Sequence, residues 1–114
     1  QKSIMPEVLS FFAHRVPKLV EQGVKDVIID PGFGFGKTLE QNYEMVDHLS
    51  DFAIIGKPIL VGVSRKSMIK KKFGESPEQT LQGTIEVNRQ LLQSGADILR
   101  VHDVKEAVQL ISEL

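Results

Sequence analysis

Residues 26–46, DVIIDPGFGFGKTLEQNYEMV, decide how the rest of the chain is read. The first five are short, β-branched and continuous in apolar character, as a strand buried on both faces requires. A glycine-rich loop follows at residues 31–37. Leu39, Tyr43, Val46, Leu49 and Ala53 then recur at helical spacing. This strand–loop–helix unit returns twice downstream. Residues 59–63 (ILVGV), announced by Pro58, predict a second buried strand, and Ser64-Arg65-Lys66-Ser67 leads into a short basic helical stretch ending at Phe73. Ser76-Pro77-Glu78-Gln79 supplies an N-cap, a first-turn proline and a capping-box glutamine for the longest helix, which Gly95 stops after Ser94. Residues 96–101 (ADILRV) predict the third strand, and Asp103 with Glu106 reads as a capping box before a helix carrying Val104, Ala107, Val108 and Ile111. Upstream, Val8, Phe12, Val16, Leu19 and Val20 predict a helix over residues 7–22, with Pro17 inside it as a kink.

Strands alternating with helices imply right-handed crossovers and a parallel sheet, so the fold class is α/β. Three strands cannot make a sheet covered on both faces, and a closed eight-stranded barrel takes about 200–250 residues. Residues 1–114 therefore read as one segment of a barrel or doubly wound sheet, completed by further residues or by a partner. The start, QKSIMPEVL, has no initiator Met and no basic region ahead of an apolar core, which fits a piece of a longer polypeptide.

Composition narrows the function classes. Apolar residues are 41% and charged residues 25%, close to the globular average, which argues against disorder. The apolar runs are a few residues long, far short of the roughly 18 that span a bilayer. Lys and Arg total 14 against 15 Asp and Glu, so no global field favours nucleic acid or a membrane surface. With no cysteine, disulfides, thiolate metal sites and Cys nucleophiles are excluded, and a cytoplasmic setting fits.

In a parallel α/β fold the strand C-termini share one edge, and ligands bind there. The first end offers Asp30 and the glycine loop; the second, Ser64, Arg65 and Lys66; the third, Arg100, His102 and Asp103. Arg100 and His102 are two apart and so project from one face. Arg100, His102 and Arg65 have the chemistry to hold phosphate oxygens, Arg through its fork. Asp30 can accept paired N–H donors from a guanidine-like heterocycle, and Lys66 can donate to a ring oxygen or nitrogen. Plainer readings stand beside these. The glycines suit a tight turn, Asp30 can cap that turn, and Arg65-Lys66 can be a solvated pair. Lys70-Lys71-Lys72, His14 and His48 read as surface, and Asp103 as a helix cap. Phe33 and Phe35 suit either packing or covering a flat ligand. Two nucleotide motifs fail: a P-loop needs glycine where Pro31 stands, and the dinucleotide fingerprint needs it at Lys37.

The segments DPGFGFGK (30–37), LVGVSRKSMI (60–69) and ILRVHDVKEA (98–107) together resemble the last three strand-end motifs of the dihydropteroate synthase family, in order and spacing. The resemblance covers essentially the whole chain. Its more polar helix positions at Glu86, Asn88 and Arg89, and Pro17, depart from the pattern without touching a strand end. It implies the C-terminal part of a (β/α)8 barrel, helix first and then three βα units. It implies condensation of 6-hydroxymethyl-7,8-dihydropterin diphosphate with 4-aminobenzoate, a folate-synthesis step that sulfonamides block. By that resemblance Asp30, Gly34 and Lys66 bind pterin, and Phe35, Ser64 and Arg65 bind aminobenzoate. Arg100 and His102 hold diphosphate, and Lys66, Arg100 and His102 carry catalysis. Mg²⁺ arrives with the diphosphate, its protein ligand expected outside this chain, so no metal-ligating residue is expected here. The parent is expected to be a homodimer, and this chain alone weakly active or inactive. The other readings are a pterin-binding methyltransferase domain, a non-catalytic pterin-binding or self-assembling partial-barrel module and, last, a P-loop kinase.

Overall fold

Hydrogen-bonding capacity along the chain is met mainly by helices. The computed structural model describes residues 3–34 and 36–114. In order come α1 (Met5–Glu21), α2 (Leu39–Asp47), a 3-10 helix (Leu49–Ile55), β1 (Leu60–Val61), α3 (Ser67–Phe73), α4 (Pro77–Gln93), β2 (Ile98–Leu99) and α5 (Val104–Ser112). β1 and β2 pair in parallel, Leu60 opposite Ile98 and Val61 opposite Leu99. Ile29 makes a parallel bridge to Ile59, so the three predicted strand segments lie side by side in chain order. That arrangement is a partial parallel barrel wall with its helices outside it.

The strands are shorter than the apolar runs predict. Residues 26–30 keep a single bridge at Ile29, and the later runs keep two ladder residues each. Regular ladder bonding needs a neighbour, and among the described residues the 26–30 segment has one on one side only. The predicted helix over 39–53 is also divided. α2 ends at Asp47, and the 3-10 helix after it buries Leu49 and Phe52 completely. α1 continues through Pro17.

The end signals are local side-chain chemistry. Ser76 and Gln79 form the predicted capping box, and Thr38 with Gln41 forms a second one at α2. α4 closes at Ser94, and Gly95 leaves it at φ +111°, in the region that favours glycine. The capping box read at Asp103 is not formed: no side chain caps α5, because the Asp103 carboxylate is bound elsewhere.

Ile29, Val61 and Val63 from the sheet pack in one core with Met45, Phe52 and Leu91 from the helices. α4 lies against α3 at Gly83, where an added Cβ would stand 2.6 Å from the Phe73 ring. No helix among the described residues is long and apolar enough to cross a membrane.

Candidate active site

The glycine loop is shaped by three glycines and pinned from two sides. Gly32, Gly34 and Gly36 have φ of +75°, +107° and +68°, conformations that residues with a Cβ rarely adopt. The Gly32 amide donates to Asp30 Oδ1 at 2.8 Å, so Asp30 does cap the turn after its own strand. The Gly34 amide donates to Oδ1 of Asn42, a buried α2 residue, at 2.9 Å. Lys37 Nζ donates to the Gly32 carbonyl, tying the loop's end to its beginning. Phe33 is buried in the core, which leaves its carbonyl as an acceptor for Lys66 Nζ at 2.8 Å.

Lys66 stands at the N-cap position of α3 without capping it by its side chain, which crosses from the second strand end to the first. Its ammonium pKa is lowered from the ordinary lysine value, mainly by burial. The nearby charges of Arg100 and Lys37 act in the same direction, and Asp30 opposes them. Gly34 lies against the Lys66 stem.

The third strand end reaches back over the second. Arg100 Nη1 stands 3.4 Å from Asp30 Oδ2, an exposed ion pair. On the way its guanidinium covers Gly62, whose missing side chain leaves the space: an ideal Cβ there would lie 2.8 Å from Arg100 Nη2. The His102 amide donates to Ser64 Oγ at 3.2 Å, so the buried Ser64 hydroxyl bridges the two strand ends.

Asp30, Lys66 and Arg100 are thus brought together, with Gly34 beside Lys66. His102 joins through its backbone and Ser64. Arg65 turns away: its guanidinium is occupied by Asp103, Thr80 Oγ1 and the Pro77 carbonyl. Phe35 lies outside the described residues. A cleft of about 420 Å³ opens beside Asp30 and Lys37, walled by Glu7, Val8, Phe12 and Gln41. The larger groove, about 470 Å³ between α1 and residues 27–29, is mainly apolar, with Arg15, Lys18 and Gln22 among its lining residues. Among the described residues no group of three or more His, Cys, Asp or Glu could hold a metal ion.

Sequence reasoning missed Gly62 and Asn42 as site-shaping residues, and it placed Asp103 at the third strand end but read it as a helix cap. Glycine inside a buried apolar strand is a signal of close approach, and it points to Gly62. Asn42 on the inward face of an amphipathic helix is a comparable signal. Nothing local marks Asp103, which satisfies a capping pattern equally well.

The family profile described as pterin binding enzyme matches residues 1–102. Dihydropteroate synthase of Escherichia coli (strain K12) is 38% identical over 108 residues, covering 93% of this chain and 38% of that enzyme. The Xanthomonas albilineans dihydropteroate synthase in complex with 7,8-dihydropteroate superposes with a TM-score of 0.92 at 34% identity, over 99% of this chain and 46% of that one. The Thermus thermophilus enzyme in complex with 4-aminobenzoate gives 0.91 at 33% identity, over 99% and 44%. The chain thus spans less than half the length of each of these relatives. In sequence and in backbone, over nearly all its residues, the chain belongs to the pterin binding enzyme family.

Proposed function

We propose that this chain supplies the pterin- and diphosphate-gripping strand ends of a dihydropteroate synthase. The observation that carries the reading is the meeting of Asp30, Lys66 and Arg100 from three different strand ends at one edge. One carboxylate beside several cations suits a ligand with a donor-rich heterocycle at one end and an anion at the other. The relatives' complexes with 7,8-dihydropteroate, the product, and with 4-aminobenzoate, a substrate, support the same reaction here.

Asp30 would accept the amidine-edge donors of the pterin while Lys66 donates to its carbonyl or ring nitrogen. Gly34 permits the close backbone approach. Arg100 and His102 would hold the diphosphate. When the bond between the pterin methylene and the diphosphate oxygen breaks, the departing anion gains negative charge and the methylene becomes a delocalised cation. Fixed donors around the anion stabilise that separation without reorganising. The 4-aminobenzoate nitrogen then forms the new C–N bond and loses a proton, giving 7,8-dihydropteroate. Ser64 and Phe35 would border the aminobenzoate. The described residues do not themselves fit a metal site, so Mg²⁺ would enter held by the diphosphate, and none of these steps is routed through it. A cytoplasmic homodimer that sulfonamides inhibit at the aminobenzoate position completes the reading.

The test is diphosphate release that depends on 4-aminobenzoate, measured on the 114-residue chain and on any longer polypeptide that carries it. The longer protein turns over, the isolated chain turns over far more slowly, and Lys66→Ala, Arg100→Ala and His102→Ala each depress the rate. Release that ignores 4-aminobenzoate, or variants equal to the wild type, would overturn the assignment. Near-parent turnover by the chain alone would instead overturn its dependence on the rest of a barrel. A non-catalytic, self-associating partial barrel is the second reading. It is favoured by the exposed apolar Ile28, Val104, Val108 and Ile111. Sedimentation with and without pterin separates the two.

A further inference from the structure

The register between β1 and β2 runs on beyond the ladder. Leu60 pairs with Ile98 and Val61 with Leu99, and the same separation of 38 residues recurs above and below them. Below, the Ile59 amide donates to the Asp97 carboxylate at 2.9 Å. In the middle, Arg100 covers Gly62. Above, Ser64 accepts from the His102 amide, and Arg65 meets Asp103. At Ile59 the Asp97 carboxylate adds to a backbone bond from the Asp97 amide to the Ile59 carbonyl. Above the Arg100 amide, which still donates to the Val61 carbonyl, side chains continue the pairing.

The last rung is the strongest of these. Arg65 Nε and Nη2 donate to the two Asp103 oxygens at 3.0 and 3.1 Å, the forked geometry that gives Arg–carboxylate pairs direction as well as attraction. Nη1 donates to Thr80 Oγ1 at 2.8 Å and to the Pro77 carbonyl at 3.1 Å, at the start of α4. The Arg65 amide donates to Thr84 Oγ1 at 3.1 Å. Both side chains are mostly shielded, and the hydrogen bonds to Asp103 raise the Arg65 pKa further. Arg65 is also the one non-glycine among the described residues with positive φ, +51°. A side chain holds that conformation only where its surroundings fix it. Its immediate neighbours are Ser64, which holds the His102 amide, and Lys66, which reaches Phe33. Asp103 in turn adjoins His102.

We infer that Arg65 and Asp103 form a positioning clamp: the forked pair locks the second strand end to the third and sets Lys66 and His102 at a fixed separation. The guanidinium is committed to this clamp and not to aminobenzoate. What the clamp serves rests on the proposed function; the clamp itself does not.

A double-mutant cycle tests it, using Arg65→Gln, Asp103→Asn and the double variant, with Arg65→Lys as the conservative change. Calorimetry reads binding of inorganic diphosphate and, separately, of 4-aminobenzoate. Nuclear magnetic resonance reads the His102 amide and imidazole shifts. Each single variant weakens diphosphate binding roughly ten- to hundredfold, the range that a small misplacement of binding groups produces. The double variant is no weaker than either single one. Arg65→Lys recovers little, because an ammonium cannot fork. Losses that multiply in the double variant would overturn the clamp. So would a selective loss of 4-aminobenzoate on Arg65→Gln with Asp103→Asn unaffected, which would make Arg65 a substrate contact. Should the wild type bind neither compound, turnover of the longer polypeptide decides the functional reading, and the His102 signals decide the clamp alone. Matching shifts in both single variants, with none added in the double, uphold it, and unmoved signals refute it. If Arg65→Gln does not fold, Asp103→Asn against Arg65→Lys carries the same comparison.

Discussion

Replacing Gly62 by Ala separates the site from the stability of the fold. The new Cβ would lie 2.8 Å from Arg100 Nη2, 3.0 Å from Nε and 3.1 Å from Cζ. Ordinary contact begins near 3.4 Å, so the guanidinium plane must lift by about half an ångström. The backbone resists little, because Gly62 is not among the residues with positive φ. Alanine there even restricts the unfolded chain, worth about 0.4–1 kcal/mol in favour of folding. Arg100 is the part that yields, since its side chain is 60% exposed and its hold on Asp30 is a long 3.4 Å. Urea unfolding should therefore stay within about 1 kcal/mol of the wild type. Anion binding should not. A hydrogen bond from a charged donor is worth about 1.5–3 kcal/mol, so displacing Arg100 should weaken diphosphate binding roughly ten- to hundredfold. Calorimetric titration with inorganic diphosphate, run beside the unfolding curve, gives both numbers. Wild-type affinity in a folded Gly62→Ala protein would refute the role given to the glycine. A large loss of stability would show that the backbone, and not Arg100, absorbs the overlap.

Other positions give sharper tests of packing. Gly83→Ala places a Cβ 2.6 Å from Phe73 and 2.9 Å from Ile69. Overpacking costs about 1–3 kcal/mol and the helix-propensity gain returns about 1, a net loss of about 0–2 kcal/mol, so thermal melting should fall by up to several degrees; a raised midpoint would contradict the α3–α4 contact. Pro17→Ala restores the helix donor that Pro17 lacks and should add about 1–2 kcal/mol to urea stability, the gain being trimmed by a freer unfolded chain. A lower midpoint would mean the proline is needed where it is. Glu44 is held below the usual glutamate pKa, first by a hydrogen bond from Ser3 and then by the Ile4 amide at 3.0 Å. A lowered carboxyl pKa stabilises the fold above the ordinary glutamate value and loses that contribution as pH falls through the lowered one. Acidification should therefore free the Ile4 amide to hydrogen exchange, and Glu44→Gln should abolish this pH dependence; a profile indifferent to the substitution would refute the linkage.

The sequence by itself determined the α/β unit order, the punctuation of the helices at Ser76 and Gly95, and the three strand ends that carry Asp30, Lys66 and Arg100. These are readable because they are local: period, caps and turns depend on residues within a few positions of one another. It could not decide how much of each apolar run becomes ladder, since that depends on whether another segment lies alongside. Nor could it decide between two uses of one residue. Asp103 satisfies the capping pattern with Glu106, yet it binds Arg65, because the sheet register sets the two in reach across 38 residues and a forked pair outcompetes a cap. Gly62 reads as a flaw in a strand until Arg100 is seen lying over it. Local propensity places groups on elements, whereas only the register between strands decides which groups meet, and that register belongs to the tertiary structure.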